Sequence, residues 1–194
     1  MSERQKQHQG RSADDESEIA GRDLANTDIA AEPQEQRESR PLVIDDTAGH
    51  PETLRAVFAS LAPFPRTGLR VVFGLRGMRG ADINRRLCAM LGARVAERAR
   101  HEPVLLVVTS SDVMADARNR TLPEEREAAI AALEASGARY DFVPGQREAI
   151  HRLLDGVVDD ELVLVLGPQG MDHASELVRE LLGSRDAARG TVRA

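Results

Sequence analysis

At 194 residues and a net charge of −6, the chain has room for one domain plus an excess, and bulk electrostatics give no reason to expect nucleic acid or an anionic membrane as partner. Hydrophobic residues make up 41%, enough for a core, and with 3% aromatics and no Trp that core must be aliphatic. A single cysteine, Cys88, excludes an internal disulfide and any multi-cysteine zinc site. It reads as a buried small hydrophobe, with a thiol nucleophile as the rival reading. No apolar run approaches the 18 or so residues of a membrane span. The N-terminus is too polar for a secretory signal peptide, so a cytoplasmic location is expected.

Residues 1–40 carry six basic and ten acidic side chains, with only Ile19, Leu24 and Ile29 as large aliphatics. Such a segment buries too little apolar surface to offset its ordering entropy, which predicts a disordered acidic tail or linker. The rival expectation is a short amphipathic helix over roughly 13–31 that docks on a partner. The folded unit is expected over 41–183, with 184–194 as a flexible tail.

Within 41–183 the elements alternate. Strand 42–45 precedes a helix from Pro51, where Leu54, Val57, Phe58 and Leu61 repeat at helical spacing and the proline suits the first turn. Strand 69–73 precedes helix 82–100, with Ile83, Leu87, Met90, Leu91 and Val95 inward. Strand 103–109 opens into a long polar loop, Ser110 to Leu122, followed by helix 123–136 with a Thr121-x-x-Glu124 capping pattern and an end at Gly137. Strand 140–143, helix 146–157, the apolar strand 161–166 and helix 172–182 complete the order. Strands separated by helices predict an α/β fold: a three-layer αβα sandwich with a mainly parallel, Rossmann-like sheet of five or six strands joined by right-handed crossovers. Strand order does not follow from the pattern.

Open parallel sheets bind ligands beyond the carboxyl ends of their strands, so the residues there are the candidates. After the first strand, Asp46, Thr47 and His50 could hold a ribose, a phosphate or a magnesium-bound water; equally, Asp46 or Thr47 could simply cap the helix. After the second, Gly74-Leu-Arg-Gly-Met-Arg-Gly80 spaces glycines at every third position around Arg76 and Arg79. Backbone N–H groups and guanidinium groups of that kind suit a carboxylate or phosphate, although a plain flexible turn has the same composition. The spacing is not the dinucleotide fingerprint G-x-G-x-x-G. In the third loop Asp112, Arg118, Asn119 and Arg120 could bind a polar substrate or form an internal salt-bridged loop. Gln169 and Gly170 close the last strand and suit a ligand contact, while Asp172 reads as a cap. His101, His151 and His173 show no metal-ligand spacing. The only lysine is Lys6, and no G-x-x-x-x-G-K-[ST] occurs, so these residues include no P-loop for the β- and γ-phosphates of ATP.

The ordered set resembles the C-terminal domain of the Mur ligases, the ATP-dependent amide-bond enzymes of peptidoglycan precursor assembly. Asp46-Thr-Ala-Gly-His-Pro51 stands for the family's Asp-Tyr-Ala-His-Asn-Pro turn, and Val71-Val-Phe-Gly-Leu-Arg-Gly for its glycine-rich strand end. Val107-Val-Thr-Ser-Ser-Asp112 through Arg118 is similar to its polar loop, and Gly167-Pro-Gln-Gly-Met-Asp172 to its closing turn. Departures are Gly49 where the family often has His, His50 where Asn or Thr is common, and Pro168-Gln169 in place of a basic residue. The resemblance implies ATP and Mg as cofactors of the complete ligase, and Asp46, Thr47 and His50 near the nucleotide. It implies Arg76, Arg79, Asp112, Arg118, Asn119 and Gln169 facing an amino-acid or muropeptide substrate. The expected function is a substrate-positioning, nucleotide-closing module, inactive without a P-loop domain or chain in trans. The alternatives are a stand-alone regulatory module of cell-wall synthesis and, further off, an unrelated small-molecule-binding domain.

Overall fold

The computed structural model describes residues 40–64, 66–112, 115, 117–168 and 170–192. The expected acidic tail, its rival helix over 13–31 and Gln169 therefore lie outside the described residues. From Leu42 onward the order is β1 (Leu42–Asp46), α1 (Pro51–Ser60), β2 (Gly68–Gly74), α2 (Ala81–Arg98), β3 (Val104–Thr109), α3 (Pro123–Ser136), β4 (Asp141–Phe142), α4 (Gln146–Leu154), β5 (Glu161–Leu166) and α5 (Ala174–Val192).

All five strands are parallel, in the order β1-β5-β2-β3-β4. Strand β5, interior between β1 and β2, is buried along its whole length, which accounts for its unbroken run of Leu and Val between two helix layers. On one face Leu162, Leu164, Val71 and Phe73 meet Leu54 and Phe58 of α1, Leu87 and Leu91 of α2, and Leu133 of α3. On the other, Val163, Val165 and Val72 meet Ile150 and Leu153 of α4 and Leu177 and Val178 of α5. The chain thus steps outward from β1 with helices on one face, then returns through α4 on the opposite face to place β5 between β1 and β2. Each fully buried Leu or Val contributes roughly 1.5–3 kcal/mol, so β5 alone is a main source of stability.

At the amino ends of the strands, polar groups are satisfied internally. Arg70 Nε donates to Glu161 at 2.7 Å, and its Nη1 donates to the carbonyls of Leu153 (2.9 Å) and Asp155 (2.7 Å), closing the last turn of α4.

Several local expectations are corrected. The α3 start is offset by one residue from the Thr121-x-x-Glu124 pattern: Pro123 occupies the first helical position and Leu122 the cap, which makes Glu125 the third helical residue. The helix does end at Gly137, whose φ of 74° is the left-handed conformation that glycine adopts at low cost. Strand 140–143 shortens to two residues, Asp141 and Phe142, which pair with Val107 and Val108 of β3. Helix 146–157 stops at Leu154, with Val157 still buried beyond it. The last helix starts at Ala174 and runs to Val192, past the expected end at 182.

Candidate functional site

Strands β1 and β2 send their helices to one face of the sheet, and β5, between them, sends α5 to the other. The loops leaving these three strands therefore diverge, and a crevice opens at their carboxyl ends, as the rule for open parallel sheets requires. A cleft of about 400 Å³ lies there. Its wall is formed by Asp46, Thr47, Gly49 and His50 after β1, Arg76 after β2, and Pro168 and Asp172 after β5.

The structure thus brings the three expected nucleotide residues, Asp46, Thr47 and His50, into one cleft together with Arg76. Thr47 and His50 are exposed and Asp46 is half-buried. Neither Asp46 nor Thr47 caps α1; His50 holds the cap position, its backbone N–H donating to Thr53 Oγ1 at 3.2 Å while Thr53 Oγ1 donates back to the His50 carbonyl at 2.8 Å. This frees the Thr47 hydroxyl from the helix end. The His50 ring lies against the Glu52 carboxylate. Glu52's own backbone N–H, followed by that ring, holds its carboxyl below the ordinary value.

Arg76 is held from both sides. Its backbone N–H donates to Asn84 Oδ1 at 3.0 Å, and Asn84 Nδ2 donates to the Arg76 carbonyl at 2.6 Å. Asn84 is fully buried on the apolar side of α2, so this reciprocal pair is shielded from water. The Arg76 Nη1 donates to the Gly49 carbonyl at 3.0 Å, tying the β2 end to the β1–α1 loop, and its buried Nε has no partner among the described residues.

Of the other expected substrate residues, Arg79, Asp112, Arg118 and Asn119 do not line the cleft. Arg79 is exposed on the glycine-rich turn, whose backbone N–H groups are already engaged: those of Met78, Arg79 and Gly80 donate to Glu125 at 3.0, 2.7 and 2.7 Å. The Leu122 N–H donates to the same carboxylate at 2.9 Å. Burial alone would push the Glu125 carboxyl up, but the four N–H groups outweigh it and hold it below its ordinary value. Met78 adopts a φ of 55° to aim its N–H inward, and its side chain stands 50% exposed.

Asp112, Arg118 and Asn119 lie in the β3–α3 loop, which is wedged between two glycines of neighbouring turns. A Cβ on Gly77 would stand 2.0 Å from the Asn119 carbonyl oxygen and 2.3 Å from the Arg120 carbonyl carbon. A Cβ on Gly170 would meet Ser111 Cβ at 3.1 Å. Beneath the loop, Thr109 Oγ1 donates to the Pro144 carbonyl (3.0 Å), and Gln146 Nε2 donates to the Gly170 carbonyl (2.6 Å). Arg118 is exposed and Asp112 and Asn119 are half-buried.

Residues that the sequence reading missed carry much of this arrangement. Asn84 stands three, four and seven residues before Leu87, Cys88 and Leu91, a polar residue on an apolar stripe, which was a usable signal. Glu125 follows from taking Pro123 as the first helical residue and counting to the third. Cys88 is buried and its thiol is pushed up to about 12 by that burial, so the nucleophile reading is discarded. Among the described residues no group of three His, Cys, Asp or Glu side chains could hold a metal ion, and no helix is long and apolar enough to cross a membrane.

The model of the family described as "Mur ligase, glutamate ligase domain" matches residues 34–169. No curated protein matches the chain. Among solved structures, it is similar to UDP-N-acetylmuramate-alanine ligase MurC from Thermotoga maritima, with a TM-score of 0.50 and 17% identity over 74% of this chain and 27% of that one. It is also similar to a UDP-N-acetylmuramoyl-L-alanyl-D-glutamate–2,6-diaminopimelate ligase (TM-score 0.49, 18% identity, 75% of this chain and 30% of that one). A third is FolC of E. coli in complex with ADP (TM-score 0.44, 18% identity, 76% and 29%). The chain therefore spans about a third or less of the length of each of these structures.

Proposed function

This chain belongs to the Mur ligase family, through its glutamate ligase domain, and we propose that it is the nucleotide-closing, substrate-positioning module of an ATP-dependent acid–amino-acid ligase. The observation that carries this reading is the cleft at the β1, β5 and β2 ends, which gathers Thr47, Asp46, His50 and Arg76 from separate loops. A carboxylate and a hydroxyl side by side suit the hydroxyls of a ribose, and a guanidinium suits a phosphate or carboxylate oxygen. At about 400 Å³ and open to solvent, the cleft has room for one edge of a nucleotide, with the rest against another surface.

ATP would supply the activation of the acid as an acyl phosphate. This chain's residues would orient the nucleotide and help to exclude water when the module closes. Its sequence contains no P-loop, so phosphoryl transfer is assigned to a P-loop domain elsewhere in the same protein or in a partner. For Mg the described residues offer no ligand cluster. The peptidoglycan precursors handled by Mur ligases give the substrate class, an acid-terminated muropeptide joined to an amino acid in the cytoplasm. Arg79, Asp112, Arg118 and Asn119, beyond the cleft, are assigned to the amino-acid side, and Gln169 is assigned to the same substrate.

The test is titration of the full chain with ADP, read by amide NMR. Saturable shifts at Thr47, Gly49 and Arg76 are expected, with no ATP turnover by the chain alone. Shifts confined to other loops, or turnover by the purified chain, would defeat the proposal.

A further inference from the structure

The glycine-rich turn has the geometry by which proteins cradle anions. Three successive N–H groups, from Met78, Arg79 and Gly80, converge at the start of α2. A fourth, from Leu122, converges on the same point from the start of α3. At that point lies the carboxylate of Glu125, a side chain 0% exposed. Two helix amino ends therefore share one internal negative charge, each favouring it through its unpaired N–H groups and its dipole.

We propose that the glycine-rich turn is an anion site whose resident ligand is the chain's own Glu125, that this occupancy closes the turn to phosphate, and that Glu125 is thereby a positioning residue for Arg76. Both Glu125 oxygens are engaged, Oε1 by Arg79 and Gly80 and Oε2 by Met78 and Leu122, so an incoming phosphate would have to displace a buried, fully bonded carboxylate. The turn is held at its far end by Glu125 and at its near end by the Asn84 pair on the Arg76 backbone. Between these two anchors the chain has little freedom, and the Arg76 guanidinium is delivered to Gly49 and the cleft. Anion recognition at this edge of the cleft then falls to Arg76, a consequence that rests on the nucleotide reading above; the cradle itself does not.

The decisive experiment empties the cradle. In E125A, formate should raise the unfolding midpoint by a few degrees more than the same concentration of chloride, while wild type and E125Q show no such preference because a side chain still fills the site. In E125A the amide resonances of residues 78, 79, 80 and 122 should shift saturably with formate. The Arg76 Nε–H resonance, displaced by the substitution, should return toward its wild-type position, a response that a merely structural glutamate would not produce. Equal effects of formate and chloride would overturn the proposal. Should E125A fail to fold, wild type and E125Q still decide the matter. Inorganic phosphate should leave the wild-type amides of 78–80 unmoved, and E125Q should shift all four amides toward weaker hydrogen bonding. Saturable phosphate shifts at 78–80, or unmoved amides in E125Q, would each overturn it. Failure of the nucleotide reading has a different signature: ADP then leaves Thr47 and Arg76 unmoved while the formate response persists.

Discussion

The turn after β2 and the loop after β1 stand two strands apart at the same end of the sheet, and they treat polar groups in opposite ways. After β2, the backbone N–H groups of Met78, Arg79 and Gly80, joined by that of Leu122 before α3, converge on one buried carboxylate and are closed to a ligand. After β1, His50 takes the helix cap, so Thr47 stands exposed and Asp46 half-buried beside a cleft that also receives Arg76. Each neighbourhood has a glycine and Arg76 reaches from the first to the second, yet among the described residues of these two only the β1 loop presents further polar side chains to the cleft. Donor geometry identifies a ligand site only once the internal acceptors have been counted.

The comparison can be broken most forcefully at Glu125. E125A should cost about 4 kcal/mol in urea unfolding, since it strands four part-buried N–H groups at once and leaves a cavity where a buried side chain stood. E125Q should cost less, and its pH dependence sharpens the point. Because the folded-state value of Glu125 lies below the ordinary carboxylate value, its contribution is complete above about pH 4.3 and is lost as pH falls through the folded value. The stability gap between wild type and E125Q should therefore be constant near neutrality and narrow on acidification. A gap that widens in acid would contradict a charged carboxylate in the cradle.

Next in size is G77A, expected to lose about 3 kcal/mol by thermal unfolding because its Cβ would stand 2.0 Å from the Asn119 oxygen. N84A should cost about 2 kcal/mol by urea unfolding, the loss of two buried hydrogen bonds to the Arg76 backbone, and should weaken ADP binding in parallel. R76A probes the open side. Its stability should change by about 1 kcal/mol at most, while calorimetry should show ADP affinity falling about tenfold, the equivalent of 1.4 kcal/mol. If R76A destabilises as strongly as E125A and leaves ADP binding unchanged, the two regions have been assigned the wrong way round.

The layer architecture was legible in the chain because each element carries its own periodicity. Leu54, Val57, Phe58 and Leu61 repeat at helical spacing and are buried, and Leu162–Leu166 reads as apolar throughout and is covered on both faces. Of the candidate site, Asp46, Thr47, His50 and Arg76 were named correctly as strand-end residues, but their grouping was not legible. It depends on β5 returning between β1 and β2, a pairing across more than ninety residues that no local pattern encodes. Glu125 was missed because the capping pattern was placed one residue early, and its partners on the glycine-rich turn lie 45 to 47 residues away. Backbone preference and amphipathic spacing act over a few residues, so the kind and order of the elements and the polar side chains at strand ends were readable from the chain, while the ends of β4, α4 and α5 were not. Which of those polar groups meet one another followed from strand order. Whether a donor is satisfied depends on the acceptor that strand order brings beside it, and that acceptor is remote in the chain.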